Sequence, residues 1–256
     1  MKILAINGSH RGGNGFTSFL LEKIKSGAAR AGVQFETNNL ADYKISRCIA
    51  CSKCQSAGHL KKCIFDGKDD VATIMGRIED ADVLILASPV YVFNISSLLK
   101  TLLERYYSSG TSNKLEVTRS GLMFHEVNDR LKNKKFLGLI VSNNMEEATT
   151  EASEVFFRNF ARFMDLDYLG TIKRPNGKLV SYGKDAGKEE QYPLIKGVYQ
   201  ELEKIGFEIA SGNRIKRSSI AKASRLILPV PFLRQLLRIT FIKRKIAAEA
   251  ANRYFS

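Results

Sequence analysis

The chain opens with KILAIN (residues 2–7), GSHRGGNGFT (8–17) and SFLLEKI (18–24), an order that predicts a buried strand, a polar glycine-rich loop and a helix. Glycines let the backbone approach a ligand closely, and the unpaired amides and dipole of a helix N-terminus favour an anion. The stretch therefore indicates a phosphate site. The alternative is an ordinary strand-to-helix turn with a capping Ser or Thr, and later segments decide between the two.

Length and composition indicate a globular chain. Its 256 residues suit one large α/β domain with an appendage, or two smaller domains. No apolar run reaches the roughly 18 residues needed to cross a bilayer, and the first residues lack the basic-then-apolar order of a signal peptide. We therefore expect a cytoplasmic protein.

The net charge of +14 is concentrated at the end of the chain. Residues 213–256 hold eleven of the 40 Lys and Arg residues but one of the 26 Asp and Glu residues, which leaves 29 basic and 25 acidic residues, a net +4, for residues 1–212. We therefore predict a main domain over residues 1–212 and a basic, mainly helical extension over residues 213–256. The global charge says little about the main domain.

The extension contains a candidate basic amphipathic helix between Phe232 and Ile242. Its apolar face could pack on the main domain or on a second subunit, which we favour, or could contact an anionic membrane surface or an acidic partner. Nothing in the extension matches a nucleic-acid-binding motif, so we expect no nucleic acid partner.

Strand and helix patterns alternate through the main domain. The predicted strands are residues 2–7, 33–40, 81–88, 136–141 and 168–172, and the predicted helices are residues 17–31, 69–80, 97–107, 149–164 and 192–210. Asp69 and Asp70 are candidate N-caps. Residues 108–133 are polar and predict an irregular excursion over the site.

Two topologies fit this alternation, the dinucleotide-binding order and the flavodoxin-like order 2-1-3-4-5. The first loop has no G-x-G-x-x-G, and the second strand ends in asparagines where a ribose-binding acid would stand. We therefore predict a flavodoxin-like, doubly wound, five-stranded parallel sheet, whose first loop binds the single phosphate of a mononucleotide such as FMN.

All four cysteines lie in one segment, residues 45–66, with the spacing Cys48-x2-Cys51-x2-Cys54-x8-Cys63. Such local clustering indicates metal or redox use more than a disulfide framework. A C-x2-C-x2-C run favours a [4Fe-4S] cluster. Structural zinc, and free thiols without metal, remain the alternatives. Nearby basic residues would either lower the pKa of the thiols or form a solvated surface run. They are Arg47, Lys53, Lys61 and Lys62.

Several motifs occur together in one order over roughly residues 1–172. They are Gly8-Ser9-His10-Arg11 with Asn14 and Thr17, the cysteine run, Asp69-Asp70, Ala81-Asp82, Ser88-Pro89-Val90-Tyr91, Lys100 and Glu104-Arg105. In this combination the chain resembles the iron–sulfur flavoprotein branch of the NADPH-dependent FMN reductase family.

The resemblance implies a role for each matching residue. The residues that would hold the FMN phosphate are Ser9, Arg11, Asn14 and Thr17, those that would line the isoalloxazine ring are Pro89, Val90, Tyr91, Phe93 and Asn94, and those that would approach its pyrimidine side are Ser142 and Asn143. The cluster ligands would be Cys48, Cys51, Cys54 and Cys63. No side-chain catalyst is expected, because the flavin carries the chemistry.

The expected function is an FMN-dependent oxidoreductase that moves electrons between NAD(P)H or a protein donor and an acceptor such as a quinone, ferredoxin or oxidant, through a [4Fe-4S] cluster. Two alternatives remain open: a cluster-free NAD(P)H-dependent FMN or quinone reductase, and a non-enzymatic flavin electron carrier or redox sensor. The resemblance also implies a homo-oligomer, a dimer or tetramer, with a redox partner protein or a small-molecule acceptor.

Overall fold

The computed structural model describes residues 1–180 and 193–227, together with residues 235, 236, 238–245 and 248. The chain divides into two compact units, Met1–Arg225 and Leu226–Ser256. The strands of the first unit are β1 (Lys2–Asn7), β2 (Gln34–Asn39), β3 (Val83–Tyr91), β4 (Asn94–Ile95), β5 (Gly110–Val117), β6 (Met123–Val127), β7 (Lys135–Val141) and β8 (Asp167–Arg174). Its α-helices are α1 (Phe16–Ala29), α2 (Val71–Asp80), α3 (Ser97–Glu104), α4 (Glu151–Phe163), α5 (Gly177–Val180), α6 (Pro193–Ala210) and α7 (Arg217–Ser224).

Five strands form a parallel sheet in the order β2-β1-β3-β7-β8, and the short β4 pairs antiparallel with the end of β3. The predicted flavodoxin-like order is thereby confirmed. Asn7 pairs with Ala87, and Val141 pairs with both Pro89 and Arg174. Because the strands are parallel, the loops that follow β1, β3 and β7 leave the sheet at the same edge, where open α/β sheets bind ligands.

Helices cover both faces of the sheet. On one face, Ile74 of α2, Leu102 of α3 and Phe157 of α4 join Leu4 and Leu86 in one apolar core. Successive side chains of a strand point to opposite faces of the sheet. The buried residues next to Leu4 and Leu86 along their strands therefore point to the opposite face, which α1 and α6 cover. Each fully buried aliphatic side chain contributes about 1.5–3 kcal/mol to folding.

Two glycines let α1 and α6 pack with their backbones in close approach. A Cβ on Gly27 would overlap the carbonyl of Glu203, and a Cβ on Gly206 would overlap the carbonyl of Ile24. Phe19 and Tyr199 complete the contact with their rings edge to face, 5.4 Å between centroids. Helix α1, which follows the first loop, is therefore packed closely against α6.

The prediction of an irregular excursion over residues 108–133 is wrong. Strands β5 and β6 form an antiparallel hairpin with a bulge between Thr111 and Leu115, and its turn closes with the Gly121 amide donating to the carbonyl of Thr118 (2.9 Å). The hairpin lies outside the main sheet. Its strands are rich in polar residues, so the sequence carries little of the apolar signal that identifies a buried strand.

Of the two candidate N-caps of α2, Asp70 occupies the N-cap position, but its side chain makes no capping hydrogen bond. The Asp69 carboxylate accepts from the amide of Val71 (3.2 Å). Asp70 instead accepts from the amide of Lys44 (2.7 Å), outside the helix. Helix α3 ends at Glu104, before the predicted residue 107, because Arg105–Ser109 continue as a 3-10 turn.

Helix α7 belongs to the first compact unit although it lies beyond the predicted boundary at residue 212. Arg174, fully buried at the end of β8, donates to the carbonyls of Ala223 (2.5 Å) and Arg225 (2.8 Å). A cation at a helix C-terminus is stabilised by the helix dipole. The division into residues 1–212 and 213–256 stays a prediction.

The second unit contains the predicted amphipathic helix between Phe232 and Ile242, which lies largely outside the described residues. Residues 240–245 are helical, and Ile239 and Phe241 are exposed. Across the part of the chain that the structure describes, no helix combines the length and the apolar character needed to cross a bilayer. The role of the extension stays a prediction.

Candidate functional site

The loop after β1 is shaped by the buried side chain of Asn7. Its Oδ1 accepts from the amide of Ser9 (3.1 Å), while its Nδ2 donates to the carbonyl of Gly12 (3.1 Å) and to Oδ1 of Asn39 (2.9 Å). The side chain thus holds both ends of the turn and ties it to β2. Asn7 was missed as a site residue, although a polar residue closing an apolar strand is a usable signal.

Helix α1 begins with an open N-terminus. Its N-cap is Gly15, and no side chain caps it. The amides of Phe16, Thr17 and Ser18 are the first of the helix and therefore have no acceptor within it. A Cβ on Gly15 would lie 2.8 Å from Oγ of Ser9, so the turn fits glycine. Unpaired donors and the helix dipole together make an anion site.

The four predicted phosphate ligands lie on this one loop. Ser9 and Thr17 are buried, whereas Arg11 and Asn14 are exposed. The Arg11 amide donates to Oγ of Ser9 (3.2 Å), and the Arg11 guanidinium lies 5.8 Å from the centroid of the Phe16 ring. The loop thus brings together a hydroxyl group, backbone amides and a long cationic side chain.

The loop after β3 is bonded directly to the first loop. Ser96 Oγ donates to the carbonyl of Gly8 (2.6 Å) and accepts from the amide of Leu99, which caps α3. The Ser96 amide donates to Oγ of Ser88 (2.8 Å). A Cβ on Gly8 would lie 2.7 Å from Cβ of Leu99. Ser96 is a second residue that was missed, and its position just before a helix was the available signal.

A strained turn projects from this loop. Val92 and Phe93 connect β3 to β4 as a two-residue turn, and both have left-handed backbone angles, with φ of 47° and 65°. Such turns favour Asn and Gly, and a β-branched residue there is an outlier. Both side chains are exposed, Val92 at 90% and Phe93 at 66%. Strain of this kind is concentrated at functional sites.

A cavity of about 400 Å³ adjoins this turn. It is lined by Tyr91, Val92, Asn94, Ile95, Ser97, Lys100 and Phe156. Of the predicted ring-lining residues, Tyr91 and Asn94 line this cavity, whereas Pro89 and Val90 lie half-buried on the preceding part of β3. His10 of the first loop reaches the lining of this cavity, since its Nε2 is 3.2 Å from Oγ of Ser97.

The loop after β7 reaches the same edge. Ser142 is buried, its Oγ lies 3.0 Å from Oγ1 of Thr149, and its carbonyl accepts from the amide of Gly177 (2.9 Å). A Cβ on Gly177 would lie 3.1 Å from the Phe16 ring, which places this loop beside the start of α1. Asn143 is exposed, and its Oδ1 accepts from the amide of Lys178 (2.9 Å).

The four cysteines line one pocket. Ala50 and Ser52, between the first three of them, both have left-handed backbone angles that curl this segment. Cys54 is buried, Cys48 and Cys63 are half-buried, and Cys51 is exposed. The enclosed volume is about 20 Å³, so a group held by all four sulfurs would reach solvent at the mouth.

Within the described residues, no group of three or more His, Cys, Asp or Glu side chains is arranged to hold a metal ion. Ligands of a single ion converge on one point, whereas the four thiolates of a [4Fe-4S] cube bind four different irons and are spaced more widely. The all-thiol donor set is the chemistry that such a cube takes.

The expectation that basic neighbours lower the thiol pKa values is wrong for Cys54. Burial raises the pKa of the Cys54 thiol, a hydrogen bond from Gln55 opposes that rise, and the nearby Cys63 and Cys48 add to it. Lys61 is engaged elsewhere, 2.6 Å from the carboxylate of Glu126 on β6.

The hairpin β5–β6 holds the cysteine segment in place. Gln55 Nε2 donates to the carbonyls of Tyr107 (3.0 Å) and Gly110 (3.2 Å), and its Oε1 accepts from the amide of Ser112 (2.7 Å). The ion pair between Lys61 and Glu126 is a second link. The hairpin, which the sequence did not predict, therefore supports the cysteine segment, which the sequence did predict.

Arg105 joins the pocket to the main core. Its side chain is 1% exposed and lines the cysteine pocket. Its Nη1 donates to the fully buried carboxylate of Asp69 (2.7 Å) and to the carbonyl of Ser46 (2.9 Å). Burial would raise the pKa of Asp69, but hydrogen bonds from Arg105 and from the amides of Ser46 and Val71 hold it below its ordinary value.

Comparison with known proteins agrees with this geometry. A family model described as NADPH-dependent FMN reductase matches residues 1–165. The chain is 37% identical over 105 residues to an iron-sulfur flavoprotein of Methanocaldococcus jannaschii, covering 41% of this chain and 51% of the relative. It is 30% identical over 142 residues to an iron-sulfur flavoprotein of Archaeoglobus fulgidus, covering 56% and 59%. The chain thus spans little more than half the length of these relatives.

Solved structures share the fold at low sequence identity. A FMN-dependent NADH-azoreductase from Bacillus anthracis in complex with FMN superimposes with a TM-score of 0.57 at 16% identity, covering 82% of this chain and 99% of that one. An NAD(P)H:quinone oxidoreductase from Methanothermobacter marburgensis gives a TM-score of 0.57 at 15% identity, covering 81% and 98%. The resemblance drawn from the sequence motifs is confirmed.

Proposed function

Because the chain belongs to the NADPH-dependent FMN reductase family, we propose that it is an FMN-dependent oxidoreductase that also carries a [4Fe-4S] cluster. It takes electrons from NAD(P)H or a protein donor and passes them to an acceptor such as a quinone, a ferredoxin or an oxidant. The observation that carries this proposal is the meeting of three loops, after β1, β3 and β7, at one edge of the sheet.

The first loop supports FMN through its phosphate. The unpaired amides at the start of α1 and the hydroxyls of Ser9 and Thr17 are donors suited to a phosphate, and Arg11 and Asn14 lie on the same turn. Gly15 leaves no side chain between Ser9 and the helix. When bound, FMN supplies the exchange between two-electron and one-electron transfer.

The other two loops supply the surroundings of the ring. Residues Pro89–Asn94 present apolar and aromatic side chains with an amide, and Ser142 and Asn143 present polar groups from the neighbouring strand. A flat aromatic ligand needs apolar walls and a few polar groups that orient it. These residues bind and orient the ring and limit the access of water to it.

The cysteine pocket supports the cluster. Cys48, Cys51, Cys54 and Cys63 line one pocket and would hold it, which matches the naming of the two archaeal relatives as iron-sulfur flavoproteins. A cluster gives the flavin a one-electron neighbour. Zinc, or free thiols, would make the protein a flavin reductase without that neighbour.

The test is anaerobic purification followed by flavin, iron and sulfide analysis. We expect stoichiometric FMN, about four irons per chain as a [4Fe-4S] cluster requires, and bleaching of the flavin absorption on addition of NADPH. Protein that contains FMN but neither iron nor sulfide, with its cysteines intact, would support the cluster-free reductase. Turnover of NADPH with a quinone separates an enzyme from a carrier, and gently purified protein without flavin contradicts all three functions.

We also propose that the protein is a homo-oligomer. Val92 and Phe93 expose apolar surface beside the ring-lining residues, and Leu115, Val117 and Met123 do so on the hairpin β5–β6. Exposed apolar patches of this kind mark interaction sites. Light scattering after gel filtration should give a dimer or tetramer, and a monomer at micromolar concentration would contradict this.

A further inference from the structure

The geometry points to Arg105 as the residue that donates hydrogen bonds to the cysteine-bound cluster and partly offsets its negative charge. This inference rests on the proposed [4Fe-4S] centre and deepens it. Arg105 is a positioning and tuning residue toward the cluster, and no redox step is assigned to it.

The first observation is that only some of the hydrogen-bond donors of Arg105 have acceptors. Its Nη1 has two acceptors, Asp69 and Ser46, but its Nε and Nη2 atoms are buried without any hydrogen-bond acceptor among the described residues. Nη2 lies 3.7 Å from a carboxylate oxygen of Asp66, which is an ion-pair distance too long for a hydrogen bond. Buried donors without acceptors destabilise the fold, and more so when they are charged.

The second observation is where these donors lie. Arg105 lines the same pocket as the four thiols, and its guanidinium stands 5.3 Å from the centroid of Phe65, another residue of that pocket. Phe65 follows Cys63 by two residues, so the turn that carries the fourth cysteine packs on the guanidinium. A buried cation with spare donors is thus placed against four groups that become anionic when they bind iron.

The chemistry of the cluster explains what those donors would do. Four thiolates and the sulfides of the cube give it a net negative charge that increases on reduction, and hydrogen bonds to its sulfurs favour the reduced state. A fixed guanidinium acts in the same direction through its charge. Arg105 should therefore raise the reduction potential of the cluster and stabilise the loaded protein relative to the iron-free one.

Asp69 fixes the position of the Arg105 guanidinium. Its carboxylate is fully buried and accepts from Nη1, so Nε and Nη2 are the guanidinium donors that remain without an acceptor in the described part of the chain. Because Asp69 already balances one unit of charge, the contribution that remains for the cluster is chiefly that of the directed N–H groups. A lysine at this position would keep the charge but not the planar set of donors.

The experiment is a redox titration of the anaerobically purified protein, followed by visible absorption and electron paramagnetic resonance. Arg105→Lys is compared with the wild type and with Arg77→Lys, a control arginine outside the pocket that bonds to Asn38 and Tyr43. We expect the midpoint potential of the cluster to fall in Arg105→Lys and to stay unchanged in Arg77→Lys. We also expect iron loading to raise the thermal unfolding midpoint less in Arg105→Lys than in the wild type.

A second variant covers the case in which Arg105→Lys does not fold. The double variant Arg105→Gln/Asp69→Asn removes the ion pair as a whole, so no buried charge is left unpaired. It should retain iron and show the same fall in potential. Iron-loaded variants whose potentials equal that of the wild type overturn the assignment of Arg105 alone. Wild-type protein that binds no iron overturns the cluster and this inference together.

Discussion

At the scale of single residues, the buried ion pair between Arg105 and Asp69 has the largest consequences. Breaking a buried pair by removing one partner typically costs 3–5 kcal/mol, because a charge is left uncompensated. Both side chains are almost completely buried. The exposed pair between Arg130 and Asp80, 58% exposed at the carboxylate, should contribute far less.

Asp69→Asn should therefore destabilise the protein by roughly 3 kcal/mol at neutral pH. The folded-state pKa of Asp69 is lowered, so its contribution is present above the ordinary Asp pKa of about 4 and is lost as the pH falls through the lower folded value. The measurement is urea unfolding of both proteins between pH 7 and pH 2. The difference between them should shrink below about pH 4.

The control for this prediction is Asp80→Asn, which should change the free energy of unfolding by less than about 1 kcal/mol. A difference between wild type and Asp69→Asn that stays constant down to pH 2 would show that the carboxylate charge of Asp69 does not stabilise the fold.

At the scale of elements, two close contacts position the site without touching it. Helices α1 and α6 meet at glycines in the C-terminal half of α1, which fixes α1 closely against α6. The hairpin β5–β6 carries the acceptors that hold Gln55 and Lys61 of the cysteine segment. The helix pair and the hairpin each require glycine where backbone occupies the place of a side chain, at Gly27 and Gly206 in the helices and at Gly110 in the hairpin.

Gly206→Ala should destabilise the protein by roughly 3 kcal/mol, because the new methyl group overlaps the backbone of α1 at Ile24. Gly197→Ala is the matched control on the same helix, where a methyl group meets nothing within 4 Å. That control should stabilise the protein by about 0.5–1 kcal/mol. Thermal and urea unfolding measure both, and equal effects would contradict the close packing of α1 on α6.

Gly110→Ala should open the hairpin, because its methyl group would overlap the carbonyl of Glu126 on the paired strand. We expect a loss of about 1–3 kcal/mol and a lower iron content, since Gln55 bonds to the Gly110 carbonyl. Gly58→Ala, in the cysteine segment with open space around it, should retain iron. Iron and sulfide analysis of both variants is the measurement, and full iron in Gly110→Ala would show that the hairpin does not support the pocket.

At the scale of the whole molecule, the site exists only because three separate loops share one sheet edge. The Ser96 hydroxyl joins the first loop to the second, and the Gly177 amide joins the third loop to the chain that leaves β8. A ligand that touches all three loops should therefore stabilise the fold as a unit, by an amount that depends on its free concentration and its affinity.

FMN at a hundred times its dissociation constant should stabilise the flavin-free protein by about 2.7 kcal/mol. Riboflavin, which lacks the phosphate, should stabilise it much less at the same concentration, because the helix N-terminus has no anion to bind. Thermal unfolding with each ligand is the measurement. Equal stabilisation by FMN and riboflavin would contradict the phosphate site.

In Gly15→Ala, whose methyl group crowds Oγ of Ser9, FMN should bind at least about tenfold more weakly, a cost of about 1.4 kcal/mol.

The alternation of apolar runs and caps predicted the five parallel strands, their order and the loop that opens the site, because these patterns are local and the topology has few alternatives. The same local reasoning placed four cysteines in one short segment. It missed Asn7, which also bonds to Asn39 at the end of β2, and Ser96, which also bonds to Gly8 of the first loop. It missed the hairpin β5–β6 as well, because its polar strands carry little apolar signal.

The pairing of Arg105 with Asp69, 36 residues apart, and the position of Arg105 in the pocket that the four cysteines line were decided only by the tertiary structure. The physical reason is that periodicity reports which face of an element is buried, whereas the partner of a buried charge depends on which distant elements pack together. Composition could show that the charge was basic overall, but packing decided which cation lies beside the cysteines.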